Sequence, residues 1–143
     1  MQGNEACLEG AMAAGCMLFA GYRITPATEI AELMSRRLQR VGGVYVKEEA
    51  ELASLEMLLG SSAARWKSMM AASAMAYALC AKIAYPAMAE IPCVIVDAQR
   101  AGPGTAVAEK SMQGDVYQVR YGNDGDYSII APASSSHREL FDL

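Results

Sequence analysis

Along this chain, short apolar runs alternate with longer segments whose apolar residues recur every three to four positions, the rhythms of buried strands and one-sided helices. Residues 4–15, NEACLEGAMAAG, carry Asn4 as a helix N-cap and read as an Ala-rich helix stopped at Gly15. The run CMLFAGY at 16–22 follows as a buried strand. From Pro26 to Arg40, Ile30, Leu33, Met34 and Leu38 fall at helical spacing, with Thr25 as N-cap, Pro26 at the first helical position and VGG at 41–43 as the stop. GVYVK at 43–47 is a second strand.

EEAELASLEMLLGSS at 48–62 predicts a third helix beginning near Glu49, with Leu52, Leu55, Leu58 and Leu59 on its apolar face and Gly60 as its stop. KSMMAAS at 67–73 fits strand or helix by periodicity alone; a strand keeps the alternation with an Ala-rich helix running to Glu90. IPCVIVDA at 91–98 is the clearest strand, a β-branched run bounded by Pro92 and a Gly-containing loop. The long loop QRAGPGTAVAEKSMQGD at 99–115, a short helix near 115–120, a strand YSIIAPA at 127–133 and a Ser-capped helix SSHRELFDL complete the chain.

Strands alternating with helices predict an α/β fold, a mostly parallel sheet with helices on both faces. Such sheets bind ligands outside the carboxyl ends of their strands. The loops to inspect are therefore 21–28, 48–51 and 99–115.

Composition narrows the picture. A length of 143 residues, 53% hydrophobic and 20% charged, predicts one domain with a real core. The net charge of −4 and scattered Lys and Arg provide no basic patch for nucleic acid; RRLQR at 36–40 reads as a solvated helix face. Cys7, Cys16, Cys80 and Cys93 show no CxxC pairing and sit among apolar neighbours, the pattern of buried thiols in a reducing compartment. The uncharged run 68–81 is shorter than the roughly 18 residues a bilayer requires, so no membrane partner is expected. Glu5 and Glu9 precede any basic region, unlike a secretory signal, and the expected location is the cytoplasm.

Candidate chemistry is sparse. Glu51 shares a helix stripe with Leu55 and Leu58, so its carboxylate borders the apolar face, where it either accepts a ligand proton or complements the helix dipole. Arg100, directly after a buried strand and before AGPGT, is suited to a carboxylate or phosphate, or to a surface ion pair with Asp97 or Glu90. QGD at 113–115 and GNDGD at 122–126 are common Gly-Asp turns. His137 is the sole histidine. The ten methionines read as core filler. No GxGxxG before a helix, GxxxxGKS, GxSxG or HExxH occurs, which disfavours Rossmann dinucleotide binding, P-loop hydrolysis and triad hydrolysis.

Several segments taken together are more specific. GNEACLEGAMAAGCMLFAGYRITPATEIAEL, AMAEIPCVIVDAQRAGPGT, KSMQGD and GNDGDYSIIAPASS resemble, in order and spacing, the N-terminal domain of the α subunit of 2-oxoacid:ferredoxin oxidoreductases. The likeness is greatest to the 2-oxoglutarate and branched-chain members, with their GYPITPSTEIAE, MEDE, TSGPG, QRGGPST, SQGD and GTHGD. It implies the pyrimidine-binding domain of a thiamine diphosphate fold, the first domain of a longer α subunit.

By that resemblance Glu51, at the last Glu of MEDE, accepts a hydrogen bond from N1′ of the aminopyrimidine and so promotes loss of the thiazolium C2 proton. Thr25, in ITP, lies near the thiazolium and substrate, Ser73 at the start of the TSGPG position contacts cofactor, and Arg100 holds the substrate carboxylate. The implied reaction is oxidative decarboxylation of a 2-oxoacid to an acyl-CoA, with electrons passing to ferredoxin. Coenzyme A is the acyl acceptor. The cofactor is shared with a β subunit that holds its diphosphate, and Mg2+ and iron–sulfur clusters are expected on partner subunits. No metal site is expected on this chain.

This sequence departs from the family pattern at Arg23 for Pro, at Ala74, Met75 and Ala76 within TSGPG, at Ala101, Ala106 and Ala108 in the QR loop, and at Asp124 for His. An alternative reading is a divergent or fragmentary homologue whose cofactor pocket is degraded and whose role is subunit association only.

Overall fold

One strand whose side chains enter two cores alternately organises the molecule. In the computed structural model, which describes residues 1–73, 84–102, 107–122 and 127–143, every residue of β3 (Ser68–Ala72) is buried. Met69 and Ala71 enter one core, with Leu8 of α1 (Gly3–Ala13), Phe19 of β1 (Leu18–Gly21), and Ile30, Ala31 and Met34 of α2 (Thr28–Arg37). Met70 and Ala72 enter a second core against Leu55 and Leu58 of α3 (Glu51–Ala63). Side chains at i and i+2 share a sheet face, so this strand is clad on both sides, as expected of a parallel sheet. Each wholly buried large side chain contributes about 1.5–3 kcal/mol.

Among the described residues the sheet has four strands in the order β2-β1-β3-β4, with β2 at Val44–Lys47 and β4 at Val94–Asp97. All neighbouring pairs are parallel: Leu18 faces Val44 and Ser68, and Met69 faces Val94. The α/β expectation is met, and 67–73 is a strand. From β1 the chain steps outward to β2 and then crosses to the other side of β1 as β3, so the order reverses between β1 and β3.

Local boundaries differ from expectation for identifiable reasons. Helix α1 starts at Gly3 with Gln2 as its cap, because the Glu5 carboxylate accepts from the Gln2 N–H at 2.8 Å. Asn4 is therefore inside the helix and its amide is available for another task. Thr25 and Pro26 do not cap α2. Ala27 N–H donates to Ile24 O at 2.8 Å, closing a separate turn, and the helix begins at Thr28. The Thr25–Pro26 peptide bond is cis.

The α2 segment ends at Arg37 and tightens into a 3₁₀ turn, Leu38–Val41, before Gly42 stops it with φ of +78°. Arg37 is more than a solvated charge: it donates to both Glu9 oxygens at 2.5 and 2.9 Å, tying α2 to α1. Helix α3 starts at Glu51 rather than near Glu49, and Gly60 does not stop it. Gly60 faces open space, and the Ala64 N–H still donates to its carbonyl at 3.1 Å.

The Ala-rich segment lies partly outside the described residues; its visible end is α4, Ala84–Met88. Helix α5 spans Gly114–Tyr121. Residues 127–133 do not form a strand; 127–136 contain no helix or strand, and Ile130 is 91% exposed. Among the described residues, no strand pairs with the apolar β-branched pair there. The last helix, α6 (His137–Asp142), is capped by Ser136, whose hydroxyl accepts from the Glu139 N–H, and it packs on α1, where a Cβ at Gly10 would meet the Phe141 carbonyl. Cys7, Cys16 and Cys93 are free thiols, their pKa values raised by burial; Cys80 lies outside the described residues.

Candidate functional site at the strand-order reversal

The crevice at a strand-order reversal is where open parallel sheets bind ligands. Here it lies between the carboxyl ends of β1 and β3, and the predicted residues gather on that edge. Thr25 stands exposed on the turn after β1. Its carbonyl accepts a hydrogen bond from Arg100 Nη1 at 3.0 Å, so the turn after β1 and the loop after β4 are joined directly. Ile24, beside it, packs against both cores and fixes the root of the turn.

Ser73 follows β3 and is wholly buried, and its Oγ has no hydrogen-bond partner among the described residues. An unsatisfied buried hydroxyl costs free energy, so a hydroxyl left there is a fit for a ligand group that can bond to it. Glu51 is half-buried at the first position of α3, one turn before the wholly buried Leu55. The first turn of a helix favours a carboxylate, and an adjacent apolar wall strengthens its bond to a donor N–H. The Glu48 N–H donates to Gly21 O at 3.1 Å, holding the loop before α3 against the end of β1.

Two carboxyls were absent from the sequence-derived site. Asp97 ends β4, and its carboxyl is pushed up to about 7 by burial and by the charge of Asp115. Asp97 Oδ1 has no hydrogen-bond partner among the described residues. Asp115, in the first turn of α5, is only 3% exposed. The available signal was an acidic residue closing a β-branched run, which sequence reading took only as a surface ion-pair partner for Arg100. Asn4 was the other omission. Arg23, where the family pattern has Pro, pairs with Glu32 on α2. Positions 74–76, 106 and 124 lie outside the described residues.

Among the described residues no group of three His, Cys, Asp or Glu side chains is gathered to hold a metal ion. No described helix is long and apolar enough to cross a membrane. The donor set is instead one carboxylate, two hydroxyls and a guanidinium, suited to an organic ligand carrying N–H donors and a carboxylate.

Open parallel α/β sheets bind cofactors or substrates at such an order reversal. The chain belongs to the pyruvate flavodoxin/ferredoxin oxidoreductase, thiamine diphosphate-binding family, whose model matches residues 9–143. It is 48% identical over its whole length to a 2-oxoglutarate synthase subunit KorA of Methanocaldococcus jannaschii, covering 39% of that protein. It is 42% identical over its whole length to a ketoisovalerate oxidoreductase subunit VorB of Methanothermobacter thermautotrophicus, covering 41% of that protein. A 2-oxoglutarate:ferredoxin oxidoreductase from Magnetococcus marinus, solved with 2-oxoglutarate, coenzyme A and succinyl-CoA bound, superimposes with a TM-score of 0.84 at 40% identity, over 89% of this chain and 22% of that one. The chain thus spans about two-fifths of the length of these two relatives.

Proposed function

We propose that this chain is the pyrimidine-binding domain, the first domain of an α subunit, in a thiamine diphosphate-dependent 2-oxoacid:ferredoxin oxidoreductase. The enzyme decarboxylates a 2-oxoacid oxidatively to its acyl-CoA and passes the electrons to ferredoxin. The observation that carries this reading is the Arg100–Thr25 hydrogen bond, which unites the β1 turn and the β4 loop at the ligand-binding edge. The family match and the names of the relatives support the reaction class.

When bound, thiamine diphosphate supplies the carbon nucleophile and the electron sink. Glu51 would accept a hydrogen bond from the pyrimidine N1′–H and so favour the imino form of the ring, whose exocyclic nitrogen is the base. Thr25 offers its hydroxyl where the reacting carbons meet. Arg100 presents planar N–H donors to the substrate carboxylate, and the buried Ser73 hydroxyl faces the cofactor. A β subunit carries the diphosphate and Mg2+, partner subunits carry the iron–sulfur clusters, and the assembly works in the cytoplasm. The test is decarboxylation of 2-oxoglutarate by the enzyme assembled with its β subunit. Glu51→Gln lowers the rate by about 100-fold or more; an unchanged rate overturns the role given to Glu51.

A second reading, subunit association with a degraded pocket, is favoured by the apolar exposure of α5, where Tyr117 and Tyr121 are 65% and 70% exposed. Calorimetry separates the two: thiamine diphosphate binding to the assembled enzyme that Glu51→Ala abolishes eliminates this alternative.

A further inference from the structure

The turn that presents Thr25 is held by two other elements. From the β4 loop, Arg100 Nη1 donates to Thr25 O at 3.0 Å. From α1, Asn4 Nδ2 donates to Pro26 O at 2.8 Å and to Glu29 Oε2 at 2.8 Å. A carbonyl and a carboxylate can only accept, so the Asn4 amide must turn its nitrogen toward both. Adjacent carbonyls are thus gripped by residues 75 and 22 positions away. One anchored carbonyl leaves the peptide free to swing about that contact. Two consecutive ones fix both peptide planes and with them the direction of the Thr25 side chain.

We infer that Asn4 is a positioning residue for the reactive turn: through the Pro26 carbonyl it sets the placement of the Thr25 hydroxyl. What Thr25 touches rests on the function proposed above; the clamp itself rests on the hydrogen bonds alone. The motif GNEA has a physical rationale on this basis, since a helix cap elsewhere, Gln2, leaves Asn4 for the turn. A Gln or Asp at this position would overreach or lose the donor.

Asn4→Asp keeps the shape and removes both donors. Pairing it with Glu29→Gln restores a hydrogen bond between α1 and α2, now donated by the new amide, but leaves Pro26 O without its donor. The two variants therefore separate a general helix tie from the grip on the turn. In the enzyme assembled with its β subunit, amide hydrogen exchange is read at Ala27, whose N–H closes the turn on Ile24 O. Steady-state kinetics use 2-oxoglutarate as the probe, and the thermal midpoint checks folding.

Asn4→Asp speeds Ala27 exchange by about 10-fold and lowers kcat by about 10-fold, with KM changed less than about 3-fold. The double variant recovers the thermal midpoint but not the exchange rate or kcat. Full recovery of all three in the double variant overturns the inference, as does wild-type exchange in Asn4→Asp. If the assembled wild type binds no thiamine diphosphate, the proposed function falls, and the exchange measurement alone still decides the clamp.

Discussion

Residues 1–73 and the described residues after 83 are built differently. The buried core side chains of the described residues lie between Ala6 and Ala72, whereas among the described residues of the later part only Pro86 and Asp115 are buried. The inner strands β1 and β3 are buried throughout, while β4 at the sheet edge is partly exposed along its length. The candidate site straddles the two parts. Thr25 and Ser73 stand where the chain leaves β1 and β3 and Glu51 opens α3, all beside the double core, while Arg100 reaches the Thr25 carbonyl from the thinner side. Precision in the first set comes from packing; in the second it comes from directed hydrogen bonds.

That contrast is open to attack at each end. The largest effect is expected in the packed part: Phe19→Ala, which empties a wholly buried ring site stacked on Tyr45, costs about 3–5 kcal/mol in denaturant unfolding. A cost below about 1 kcal/mol would remove the idea that this core sets the turns. Next is Arg100→Lys in the assembled enzyme, which keeps the charge but loses the planar fork; KM for 2-oxoglutarate rises by about 10- to 100-fold. An unchanged KM would remove the substrate role given to Arg100.

The third effect is a slope with pH. The folded Asp97 carboxyl titrates at about 7 against an ordinary 3.8, so the folded state holds this proton more tightly than the unfolded chain. Its stabilising contribution is complete below 3.8 and is lost as pH rises through about 7. Thermal melts of Asp97→Asn should therefore gain on the wild type between about pH 4 and about pH 8. A constant difference across that range would dispose of the assignment. The smallest effect belongs to the exposed segment: Ile130→Ser changes stability of the chain by no more than about 0.5 kcal/mol. A drop of several times that size would reveal packing that the exposed position does not suggest.

The legible and illegible parts of the sequence divide along the same physical line. The runs at 16–22, 43–47 and 91–98 were recognisable as strands, and the stripe Leu55–Leu58 as a buried face, because periodicity is written in neighbouring residues. The apolar stretch 127–133 satisfied the same local rule and is not a strand, since a strand exists only with a partner. Likewise Thr25-Pro26 has the composition of a helix start but closes a turn, and Gly60 has that of a stop but lies in mid-helix. Glu51, Thr25, Ser73 and Arg100 could each be singled out from the motifs that carry the family resemblance. Asn4 and the Asp97–Asp115 pair could not, as their significance lies in what faces them.

By itself, then, the sequence determined the α/β alternation and the family, and pointed to the edge where a ligand is expected, all of which depend on pattern along the chain. Tertiary structure alone decided which carbonyl Arg100 holds, that Asn4 grips the same turn, and that Asp97 feels Asp115. Those are contacts between residues far apart in sequence, and their strength depends on distance, direction and burial, none of which has a period that a one-dimensional pattern can carry.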